Sequence, residues 1–138
     1  MKKIRKGFTL IELILAIFVL EIGLLGVASF YMYSSGVTKL ARQETIASNL
    51  AIGLLDEQLS LSYLSLAVDP GTPAPYSNDP ASPFVNYRKK VDVAYLDAYL
   101  AETYSLPDTH MKKIVVTIYW TYNNEEKNYQ IASIKTDH

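Results

Sequence analysis

Between Phe8 and Thr38 the chain runs for 31 residues without a lysine or arginine, directly behind a leader in which Lys2, Lys3, Arg5 and Lys6 are clustered. As a helix, such a stretch spans about 46 Å at 1.5 Å per residue, more than the roughly 30 Å of bilayer hydrocarbon. This predicts a helix that crosses a membrane and continues outward as a stem. The cations flank its N-terminal side, which places the leader in the cytoplasm and exports the C-terminal region. No proline occurs between Gly7 and Asp69, so the helix can run on to about Leu64.

Glu12 and Glu21 interrupt the apolar run. An acidic side chain at the centre of a spanning helix costs roughly 2.5–3.5 kcal/mol on insertion scales. The simplest compensation is a positive charge brought by another subunit. A secretory signal peptide also has a basic start and an apolar core, and Gly26-Val27-Ala28 supplies small residues suited to such a cleavage site. An unprocessed single-pass anchor is the other alternative. Neither explains two carboxylates in the apolar segment, and the segment exceeds the 7–15 residues usual for a signal core.

The run Lys6-Gly7-Phe8-Thr9-Leu10-Ile11-Glu12 resembles the cleavage and methylation signature of type IV pilins and of the pseudopilins of type II secretion. The resemblance implies that a prepilin peptidase cuts between Gly7 and Phe8, that Phe8 becomes an N-methylated terminus, and that Glu12 neutralises the terminal amine of a neighbouring subunit. Opposite charges attract strongly in a low dielectric, provided that their geometry offsets desolvation. Leu13 to Val27, with Ile22-Gly23-Leu24-Leu25-Gly26, looks like the V-type minor pilins and I-type minor pseudopilins. Ser29 stands where major pilins usually carry proline. Glu21 departs from the pattern; nine residues after Glu12, it faces the opposite side of the helix. Gly23 and Gly26 mark either a place where the helix can bend or a close helix-packing face.

Beyond Thr38 the pattern becomes amphipathic. Leu40, Ala47, Leu50, Ala51, Leu54, Leu55 and Leu59 recur at helical spacing. Residues 69–83 hold five of the six prolines and read as a surface loop without a regular ladder. Val85, Tyr87, Lys89, Val91 and Val93 keep a two-residue beat. The spacing of Leu96, Tyr99, Leu100 and Thr103 suits a short helix. Lys113 to Tyr122 reads as the firmest strand, with Ile114, Val116, Ile118 and Trp120 on one side, followed by a turn at residues 123–126 and a returning strand from Lys127 to Lys135. The expected class is α+β: a leader at 1–7, a membrane or filament-core helix at 8–38, its amphipathic continuation at 39–68, the loop at 69–83, and an antiparallel sheet at 84–138.

The net charge is −1; without the leader, nine basic side chains face fourteen acidic ones, a formal −5. That sign gives no general attraction to nucleic acid or anionic lipid. Arg88-Lys89-Lys90 and Lys112-Lys113 read as solvated strand ends, with a DNA-uptake or adhesion surface as the alternative. Tyr31 and Tyr33 suit a membrane interface, and the other tyrosines suit half-buried sheet positions. There is no cysteine, His110 and His138 lack ligand spacing, and no phosphate loop or nucleophile elbow is present. No cofactor, metal or catalytic residue is expected. By resemblance, the chain is a structural subunit whose partners are other pilins or pseudopilins, the prepilin peptidase and an inner-membrane assembly platform.

Overall fold

The computed structural model describes residues 9–97, 99–105 and 108–137. The leader residues Lys2, Lys3, Arg5 and Lys6, the Gly7–Phe8 bond and His138 lie outside these. The chain divides into two units, 1–40 and 41–138. Helix α1, Leu10–Ser60, supplies nearly all the described part of the first unit and opens the second.

The first unit has no core of its own among its described residues. Its large apolar side chains, from Leu10 and Ile11 through Phe30 and Met32, are all exposed. By length and composition α1 can cross a membrane. Its hydroxyls suit that solvent: Ser29 donates to the Leu25 carbonyl at 2.9 Å, Ser35 to Met32 at 2.9 Å and Thr38 to Ser34 at 2.9 Å. These polar groups are satisfied within the helix, as hydrocarbon requires.

The second unit is an α+β sandwich of one helix segment on one sheet. Ala47, Leu50, Ala51, Leu54 and Leu55 repeat every three or four residues and are buried. They pack with Val93, Ile114, Val116, Ile118 and Trp120 of the sheet, and with Leu66 and Tyr87. Fully burying each leucine contributes about 1.5–3 kcal/mol. Ala47 and Ala51, completely buried, let the helix backbone approach the sheet closely.

The helix stops at Ser60, short of the Leu64 limit and of the 39–68 span expected for its continuation. Serine is responsible: Ser60 Oγ donates back to the Glu57 carbonyl, and the Ser62 side chain caps a separate 3-10 turn at Tyr63–Ser65. The sheet is antiparallel, with β1 Ala74–Pro75, β2 Arg88–Leu96, β3 Glu102–Thr103, β4 Met111–Tyr122 and β5 Glu125–Thr136. Its order is β1-β2-β4-β5, with β3 on the end of β2.

Two local expectations are corrected. The proline-rich segment does form a ladder, a short one: Ala74 and Pro75 pair with Lys89 and Arg88, and Asp69 exchanges both backbone hydrogen bonds with Val93. It thereby covers the edge of β2, as a proline-bearing flank suits an edge. The described residues between Leu96 and Tyr104 form no helix. Asp97 Oδ1 accepts from the amides of Tyr99 and Ala101, both at 2.8 Å, turning the chain so that β3 pairs back on Tyr95 and Leu96. Tyr99 and Leu100, the apolar residues that suggested a helix, point to solvent. The β4–β5 hairpin is as expected but tighter, closed by Asn123 and Asn124 with φ of 51° and 65°. Asparagine tolerates the left-handed conformation that such a two-residue turn demands.

Candidate functional site

Glu12 sits in the first turn of α1. Thr9 precedes that turn, and its Oγ1 and carbonyl both accept from the Glu12 amide, at 3.3 and 3.1 Å. Thr9-Leu10-Ile11-Glu12 thus has the spacing of a capping box, a signal that a reading of Glu12 as a recognition group alone overlooks. The side chain lies on one exposed face of the helix with the apolar Ile11, Leu15, Ala16 and Val19. Among the described residues neither the Glu12 nor the Glu21 carboxylate has a hydrogen bond or ion pair. A carboxylate near a helix N-terminus is favoured by the helix dipole.

The basic clusters of the head are mostly committed elsewhere. Arg88 pairs with Glu126, Lys90 lies 3.4 Å from Asp92, and Lys113 bonds Glu102 at 2.6 Å. Lys89 stands over the Tyr76 ring at 5.6 Å. Lys112 is not a solvated strand end. It is 4% exposed, its Nζ donates to the carbonyls of Tyr63 at 2.9 Å and Leu66 at 2.8 Å, and it lies 4.2 Å from the Tyr63 ring centre.

Lys135 works in the same way, donating to the Leu59 carbonyl at 2.7 Å and to that of Leu61. The last turn of α1 carries no basic residue of its own. Two lysines from β4 and β5 therefore donate to carbonyls at the helix end and in the turn that follows it. Spacing along the chain could not reveal this, because donor and acceptor lie far apart in sequence.

Tyr63 completes the junction. Its hydroxyl donates to Asp108 Oδ1, and Asp108 also accepts from the His110 amide at 2.8 Å. The Tyr63 bond, with the His110 amide and the Lys112 charge, holds the Asp108 carboxyl below its usual range. Burial, and then Asp108, pushes the Tyr63 hydroxyl well above its own. Of the tyrosines, Tyr87 is buried and Tyr99 is 91% exposed, so they form no single aromatic surface. Among the described residues no group of three His, Asp or Glu side chains could hold a metal.

Residues 2–28 match the family model for the prokaryotic N-terminal methylation motif. The match spans the leader, the Gly7–Phe8 bond and Glu12. No curated protein and no solved structure matches the chain significantly. The motif, with the apolar helix that follows, supports membrane anchoring near the N-terminus and a pilin-like structural role.

Proposed function

From a chain bearing a prepilin-type methylation motif on an apolar helix, and a head built as one helix on an antiparallel sheet, we propose a minor type IV pilin or pseudopilin. The prepilin enters the inner membrane with its leader in the cytoplasm, and the prepilin peptidase cleaves between Gly7 and Phe8. Phe8 is N-methylated. An assembly platform then moves the subunit into a filament, where apolar helices pack side by side. The Glu12 carboxylate meets the terminal amine of a neighbour and sets the axial register. Ser29 in place of proline, and the Ile22–Gly26 stretch, favour a low-copy subunit that initiates the filament over a main shaft subunit.

The observation that carries this reading is a carboxylate held without a partner among the described residues on an exposed apolar helix. Desolvating it alone is costly, and a neighbour's amine relieves that cost. Mass spectrometry of the native protein is expected to find an N-methylated Phe8 as first residue. Glu12→Ala is expected to insert normally yet be depleted at least tenfold from sheared filaments. Equal recovery of the variant, or a mature chain that retains Lys2 to Lys6, would sink the proposal. The ligand-binding alternative loses support from the head, where Arg88, Lys90, Lys112 and Lys113 already have partners.

A further inference from the structure

The sheet has one guarded edge and one open edge. On the β2 side, Ala74 and Pro75 pair with Lys89 and Arg88, Asp69 bridges to Val93, and β3 pairs with the far end. On the β5 side no further strand follows among the described residues. β5 pairs with β4 along all of its 12 residues without a bulge, and it contains neither proline nor glycine. Its two lysines are drawn aside, Lys127 to Glu125 at 2.6 Å and Lys135 to the Leu59 and Leu61 carbonyls. A long, regular edge of this kind lacks the usual devices that stop another strand from adding to it.

The turn at Asn123 and Asn124 makes Tyr122 and Glu125 the closing pair of the hairpin. From that hydrogen-bonded pair, alternate residues of β5 bond to β4. The amides and carbonyls of Glu126, Asn128, Gln130, Ala132 and Ile134 therefore point out of the sheet. Besides water, an extended chain is what supplies donors and acceptors at that spacing. The helix does not obstruct it. α1 is packed over Val93 of β2 and over Ile114, Val116, Ile118 and Trp120 of β4, whereas Tyr129 and Ile131 of β5 are only half-buried.

Self-complementarity identifies the guest. With Gln130 on a two-fold axis, an antiparallel copy of β5 sets Tyr129 opposite Ile131 of the second copy, and the reverse. This is an aromatic and β-branched pair at the closer, non-hydrogen-bonded spacing. Glu125 then faces Lys135 of the second copy, whose ammonium spends two of its three donors on carbonyls and keeps one. Moving the axis to Ile131 would set Lys127 against Lys135, and moving it to Tyr129 would set Lys127 against Ile131. Neither pairing is favourable.

We infer that β5 is a homotypic docking edge, pairing antiparallel with β5 of a second copy, Gln130 opposite Gln130, to give one sheet continuous across two heads. β5 runs in the same direction as the helix segment above it, from the Arg42 end beside Thr121 to the Leu59 end at Lys135. The two-fold therefore sets the two helix segments antiparallel. The contact joins heads carried on separate filaments or membranes, differs from the like-directed helix packing proposed above, and stands whether or not Glu12 directs assembly.

The chain has no cysteine, so single cysteines report the register. Full-length Gln130→Cys and Asn128→Cys in detergent micelles are oxidised mildly and compared on non-reducing gels. Gln130→Cys is expected to give at least fivefold more covalent dimer. Residue 128 faces Ala132 of the second copy and lies roughly 13 Å from its own counterpart, at about 3.3 Å per residue. Gln130 is exposed, so charge can be placed on the axis without disturbing the core. Gln130→Lys and Gln130→Glu, each alone, are expected to lower the sedimenting dimer at least fivefold, and an equimolar mixture to restore it. Equal yields from the two cysteines, no covalent dimer from Gln130→Cys, or unchanged self-association of both charge variants would overturn the inference and leave the edge to another polypeptide or to water.

Discussion

Lys112 and Lys113 are neighbours in sequence with opposite circumstances. Lys113 shares a half-exposed ion pair with Glu102, of a kind worth at most about 1 kcal/mol. Lys112 is buried and donates to two carbonyls, those of Tyr63 and Leu66, the first of which also accepts from the Leu66 amide. Lys112→Ala is expected to lower stability by about 3 kcal/mol, and Lys113→Ala by less than 1 kcal/mol, measured by urea denaturation. Asp108 adds a pH dependence. Its folded pKa is depressed, so its contribution is present above the unfolded value of 3.8 and is lost as pH falls through the lower folded value. Tyr63 acts at the other extreme: its raised folded value makes its contribution complete below 10.0 and lost as pH rises beyond it. Asp108→Asn is expected to flatten the acid limb, read as urea midpoint against pH; an unchanged limb would show that other carboxylates govern it.

Among the elements, the loop on the β2 edge depends on Gly71. Its φ is +63°, and a Cβ there would lie 2.0 Å from the Val91 carbonyl oxygen. Gly71→Ala is expected to cost about 1–3 kcal/mol through backbone strain, with the clash added. Amide exchange would show opening first at Asp69 and Val93, whose mutual bonds join this loop to the sheet. What was legible in the sequence follows from what is local. The helix stripe from Ala47 to Leu55 and the alternation from Ile114 to Trp120 are periodic within one element, and both face the core as read. The edge ladder at Ala74–Pro75, the Asp97 turn and the lysine caps depend on residues brought together across the sheet. Charge patterning along the chain misread Lys112, because a long aliphatic stem lets a cation sit inside if carbonyls await it. Thr9 as a helix cap was readable from its spacing to Glu12.

For the whole molecule, the two units answer to different solvents. The first exposes large apolar side chains from Leu10 to Val37, whereas the second buries Leu50, Leu54, Leu55 and much of β4 in a core. The chain is expected to sediment with membranes, resist extraction by high salt and be released by detergent; release by salt alone would contradict anchoring by α1. The head also has an unusual timetable. The carbonyls of Tyr63 and Leu59 are sealed by lysines that lie 49 and 76 residues further along the chain. A chain made from its N-terminus on the ribosome therefore presents an open helix tip until β4 and then β5 have been added.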